Sequence, residues 1–156
     1  MRYTFKITTF LVFCFVLFCT VAVAAGPDPK DHEFNPDIPK KLKGEMIALT
    51  TESGIPFQAY ESNPQSESTS AILLVHEWWG LNAHMKHVAD HFAKMGYHAL
   101  AVDLYNEKFT NKKKQAAKWM SEVKTEEALP KLEASLGYLA LKSRKTAVIG
   151  WCFGGG

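Results

Sequence analysis

The stretch Thr146-Ala147-Val148-Ile149-Gly150-Trp151-Cys152-Phe153-Gly154 decides how the rest of this sequence is read. It opens as a short apolar strand and passes without a spacer into a cysteine with glycines two positions away on either side. That spacing is the G-x-S-x-G turn, in which a strand bends so sharply into the next helix that side chains at the glycine positions would clash. The central residue of such a turn projects above the sheet, and the N–H that follows it faces the place where a substrate oxyanion develops. Here the central residue is Cys152 and that N–H belongs to Phe153. A free thiol is only a few per cent thiolate at neutral pH, so a nucleophilic Cys152 needs a base, a nearby cation or a helix N-terminus.

Working back from the cysteine, the chain alternates buried strands with amphipathic helices. Leu129, Leu132, Leu136, Leu139 and Ala140 fall on one helical face; Pro130 is costly inside a helix, so this helix is expected to start after Thr125. Ala116 to Val123 reads as helical, after a basic, turn-like stretch from Asn106 to Lys114. His98 to Leu104 reads as a strand. Before it, Met85, Val88, Ala89, Phe92 and Ala93 mark a helix capped by Asn82 and stopped at Gly96. The unbroken run Ala71 to Val75 suits a strand covered on both faces and ends at His76-Glu77-Trp78-Trp79-Gly80. Met46 to Thr50 and Ile55 to Tyr60 flank a turn and predict a hairpin. This order predicts a mostly parallel sheet with helices on both faces, its chemistry beyond the carboxyl ends of the strands.

Composition narrows the setting. Residues 1–24 carry Arg2 and Lys6 before an apolar run that ends in Ala22-Val23-Ala24, the pattern of a secretory signal peptide. An uncleaved anchor is disfavoured by the short apolar run, and lipidation at Cys19 by the bulk of Phe18. Residues 25–45 contain Pro27, Pro29, Pro36 and Pro39 and read as an extended linker, leaving 46–156 as one globular domain. Removing residues 1–24 leaves 16 basic against 16 acidic residues, so neither nucleic acid nor an anionic membrane has a bulk electrostatic reason to bind. Removal also takes Cys14 and Cys19, so that Cys152 is the lone thiol of an exported, periplasmic or secreted protein with no stable membrane anchor. By itself such a thiol is either buried and inert or reactive.

Glu77 lies just past the end of another apolar strand, placed to accept the thiol proton while Trp78 and Trp79 exclude water. Residues Leu74 to Asn82, Gly96-Tyr97, Asp103-Leu104-Tyr105 and Gly150 to Gly155 together resemble the dienelactone hydrolase family, of the α/β-hydrolase superfamily, over about residues 45–156. The resemblance implies hydrolysis of an enol lactone such as carboxymethylenebutenolide through a Cys-Asp-His triad, on a small-molecule lactone or ester substrate and without a cofactor or metal. It implies that Cys152 is the nucleophile, that Glu77 contacts and activates the thiol, and that the Trp78 and Phe153 N–H groups form the oxyanion hole. Where the family holds a substrate carboxylate with an arginine, this sequence has Lys112, Lys113 and Lys114.

In the superfamily the triad acid and histidine follow the nucleophile, whereas four residues follow Cys152 here. The sequence is therefore expected to be the amino-terminal part of a longer protein, inactive and poorly folded by itself. Two other readings stand beside the lactone hydrolase: a general carboxylesterase or thioesterase, and a non-catalytic binding or metal module on the same scaffold. For the latter, His84, His87 and His91 share helical spacing but lack a matching carboxylate or thiol cluster. Asp103 precedes the nucleophile, which points to a loop or substrate-side role rather than that of the triad acid.

Overall fold

The computed structural model describes residues 41–156. The leader and most of the linker expected for residues 1–45 lie outside that range. Two antiparallel strands, β1 (Glu45–Thr50) and β2 (Pro56–Ser62), form the expected hairpin, with Leu49 opposite Phe57. Alternation of β3 (Ser70–Val75), α1 (Ala83–Lys94), β4 (His98–Val102), α2 (Lys113–Glu122), α3 (Thr125–Lys142) and β5 (Lys145–Gly150) follows. The sheet order is β1-β2-β4-β3-β5, with β3 parallel to both β4 and β5 and β2 antiparallel to β4. The sheet is thus mixed, with a parallel trio at the end that carries Cys152.

Residues along β3 serve two layers in turn. Ala71, Leu73 and Val75 join Phe57, Leu100, Val102 and Leu139 on the α3 side, whereas Ile72 and Leu74 join Tyr60, Met85 and Ala89 on the α1 side. An apolar run without polar alternation is what a strand buried on both faces requires. Asn82 caps α1 through its side-chain oxygen, which accepts the Met85 N–H at 3.0 Å. At the other end Gly96 (φ 97°) lets the Gly96 and Tyr97 N–H groups turn back onto the carbonyls of Ala93 and Phe92.

Four expectations shift. The linker was expected to run to residue 45, but β1 begins at Glu45, and the Lys43 and Gly44 N–H groups are already held by the Asp90 carboxylate on α1. β4 ends at Val102 rather than Leu104, because the Asp103 side chain draws the chain out of the sheet: it accepts the N–H groups of Tyr105 (2.8 Å) and Glu107. α3 begins at Thr125 and includes Pro130, whose missing N–H leaves the carbonyl of Glu126 without its helical donor. Finally, Leu129 and Ala140 are exposed, and the buried face of α3 runs through Lys131, Ser135 and Leu139. The Ser135 hydroxyl donates to the Lys131 carbonyl at 2.7 Å, and Lys131 Nζ donates to Asn106 Oδ1 at 2.7 Å, so both polar groups are satisfied where they are buried.

Candidate active site

Parallel strands β3 and β5 pair with Val75 beside Gly150, so the chain leaves the sheet at neighbouring points. Residues 77 and 152 each lie two positions beyond that matched pair, which brings Glu77 and Cys152 to the same end of the sheet. Cys152 opens a short 3-10 helix, Cys152–Gly155, and is exposed. Its φ of 52° lies in the left-handed region, which costs a residue with a side chain roughly 1–2 kcal/mol. Both flanking glycines are required by close packing. A Cβ on Gly150 would collide with the Gly154 carbonyl, and one on Gly154 would sit 2.6 Å from the Val75 oxygen. The pattern expected from spacing is therefore present as geometry.

The ring of His76 lies under this turn, fully buried. Its Nδ1 meets the Glu77 carbonyl at 2.6 Å and its Nε2 meets the Leu104 N–H at 3.2 Å. Because an N–H can only donate, Nε2 is the acceptor and Nδ1 carries the proton. Burial lowers the His76 pKa, keeping the ring neutral. The ring packs on Tyr105 (centroids 4.7 Å apart) and Phe153 (5.7 Å). His76 thereby joins the loops after β3 and β4 to the cysteine turn.

The Glu77 carbonyl also accepts the Gly80 N–H at 3.2 Å, closing a turn in which Trp78 and Trp79 meet edge to face at 4.9 Å. Trp79 is buried and Trp78 half-buried. Gly80 (φ 87°) presses on the backbone of Lys108, and the Thr110 N–H donates to the Trp79 carbonyl at 3.0 Å. The N–H groups of Trp78 and Phe153 are engaged by no hydrogen bond among the described residues. Nor does any hydrogen bond join the Glu77 carboxylate to the Cys152 thiol; the structure brings the two to one sheet end without the expected contact.

Residues 57–156 match the family model described as the dienelactone hydrolase family. The chain belongs to that family. Among curated relatives, Protein usf of Aquifex pyrophilus is 28% identical over 123 residues, spanning 72% of this chain and 52% of the relative. A protein of Aquifex aeolicus provisionally named carboxymethylenebutenolidase is 27% identical over 122 residues, again spanning 72% and 52%. The chain thus spans about half the length of these relatives. Of solved structures, a provisionally assigned dienelactone hydrolase from Klebsiella pneumoniae superposes with a TM-score of 0.59 at 24% identity, covering 71% of this chain and 52% of that one. A dienelactone hydrolase-like promiscuous phosphotriesterase from metagenomic libraries gives 0.59 at 21% identity, covering 72% and 51%. These superpositions show a shared α/β-hydrolase-like fold.

Other residues of this family member fall as follows. Lys112, Lys113 and Lys114 are exposed around the start of α2. His91 is exposed and His84 and His87 are half-buried on α1; among the described residues no group of three or more His, Cys, Asp or Glu is placed to hold a metal. Asp103 is buried and acts within its own loop, where Asn106 (φ 55°) and Glu107 (φ 66°) are both left-handed. Sequence reasoning missed His76 and Lys131. Burial lowers the Lys131 pKa, and the Asp103 carboxylate opposes that shift. The signal for Lys131 was its position three residues after Ala128 and one before Leu132, on the face that the leucines only partly define.

Proposed function

We propose that this chain carries the nucleophile side of an exported cysteine-dependent hydrolase of lactones or esters. The observation that carries the reading is the left-handed Cys152 at the end of a parallel strand, between two glycines that admit no side chain. In the reaction, Glu77 accepts the thiol proton and the Cys152 thiolate attacks the substrate carbonyl. The oxyanion that forms is held by the Trp78 and Phe153 N–H groups, and collapse expels the alkoxide or enolate to leave a thioester that water then cleaves. That Glu77 and Cys152 leave the same end of the sheet, each two residues beyond the Val75–Gly150 pair, supports this role. The leader-like residues 1–24 support export, with residues 25–45 as a spacer and 46–156 as the hydrolase-like domain.

Turnover by these 156 residues alone is not expected. His76 is the histidine packed on the cysteine turn, and both of its ring nitrogens are engaged. Hydrolysis of a carboxylated enol lactone or an aryl ester by the chain, abolished by Cys152→Ala, would overturn that expectation. Rapid labelling of Cys152 by a thiol reagent supports the nucleophile; a resistant thiol refutes it and leaves the non-catalytic scaffold. A broader carboxylesterase or thioesterase is favoured by one observation, the exposed lysines 112–114 in the region where the family resemblance implies an arginine for the substrate carboxylate.

A further inference from the structure

Tyr105 is 4% exposed, and its hydroxyl is closed off from solvent with no hydrogen-bond partner among the described residues. Ser143 Oγ, at the C-cap of α3, is the other such atom among the described residues. Phenylalanine would fill the same space without stranding a polar atom, so a hydroxyl there asks for a reason. The ring is held edge-on to His76 and packs on Phe153 at 5.5 Å and Trp119 at 6.2 Å. Phe153 is the residue after Cys152, so the tyrosine lies against the turn that presents the thiol. Burial, and then a negative charge on Cys152, push the Tyr105 hydroxyl up to about 12. It therefore keeps its proton through the neutral and mildly alkaline range. A neutral donor without an acceptor among the described residues thus lies against the turn that carries a group able to accept a hydrogen bond once it ionises.

We infer that the Tyr105 hydroxyl is a hydrogen-bond donor reserved for the Cys152 thiolate, unpartnered while the thiol is protonated and turned onto the sulfur when the proton leaves. The inference rests on the nucleophile assignment. The thiol proton passes to the general base, and Tyr105 retains its own. Around the ring, the titratable and charged groups are His76 behind it, Asp103 in its own loop, Lys131 from α3, and Lys108, Glu122 and Glu127 along the adjoining cleft. None of these is altered by removing the hydroxyl.

The test compares the chain with Tyr105→Phe. Alkylation of Cys152 by iodoacetamide is followed across pH on the Cys152 peptide, because Cys14 and Cys19 also react, and thermal unfolding is measured alongside. The expected result is a rise of about one unit in the alkylation midpoint, or about tenfold slower labelling at pH 7, with Tm unchanged or higher. Superimposed profiles with a midpoint below that of free cysteine in both proteins overturn the inference and leave the nucleophile in place. Superimposed profiles at about 8.5 overturn both. A lower Tm with unchanged labelling makes the hydroxyl structural and also overturns the inference.

Discussion

Two buried tyrosines of this fold have opposite circumstances. Tyr60, on the α1 side of the sheet, donates to Asp90 Oδ1 at 2.9 Å and accepts the Gly44 N–H at 2.7 Å. The same carboxylate takes the Ser62 hydroxyl at 2.8 Å and the N–H groups of Lys43 at 2.9 Å and Gly44 at 3.1 Å. Burial, reinforced by the bond to Asp90, holds the Tyr60 hydroxyl well above its ordinary pKa. Tyr105, on the α3 side, packs as tightly but has no partner for its hydroxyl among the described residues. Around it the backbone is left-handed at Cys152, Asn106 and Glu107, and the Trp78 and Phe153 N–H groups have no partner among the described residues. Where each polar group is satisfied, the cluster ties together segments far apart in sequence; where groups are left over beside a strained turn, the arrangement is suited to chemistry.

The contrast can be broken or sharpened by experiment. Asp90→Ala strands two hydroxyl donors and the Lys43 N–H at once, the Gly44 N–H keeping its bond to the Tyr60 hydroxyl, and should cost about 3–4 kcal/mol, read as a lower urea midpoint. A loss under about 1 kcal/mol would mean that water replaces the carboxylate and that the cluster is no more satisfied than the site.

Next in size is the pH response set by His76. Its folded pKa is below the unfolded value of about 6.5, so its contribution is fully present above that pH. Stability should then fall as pH drops below about 6.5, by at most about 1.4 kcal/mol per pH unit. His76→Gln should flatten that part of the Tm profile, and an unchanged slope would remove His76 as its origin. The smallest effect separates the tyrosines directly: Tyr60→Phe should cost about 1–2 kcal/mol, and Tyr105→Phe about nothing or a slight gain. Equal losses would erase the distinction between them.

The cysteine turn was legible in the sequence because its requirements are local: a strand, a nucleophile and two glycines at fixed offsets. The hairpin, the Asn82 cap and the buried β3 followed from short-range patterns for the same reason. The Asp90 cluster was not legible, since its four partners come from residues 43, 44, 60 and 62, across spacings of 28 to 47 positions. The α3 face was misassigned because periodicity weighs apolar residues, whereas Lys131 and Ser135 are buried through hydrogen bonds that no hydropathy pattern records. Pro130 points the same way: packing around Leu139 holds a helix whose local preference is against its start at Thr125.

The clamp around His76 also changes how chemical footprinting of this chain would read. Acylating reagents that modify imidazole need a ring nitrogen that is reached by solvent and carries a free lone pair. His76 offers neither, whereas His91 stands open on the surface. Modification of the His76 peptide therefore waits for the loops after β3 and β4 to part, and its rate is a clock for local opening at the strand ends while the rest of the fold stays closed.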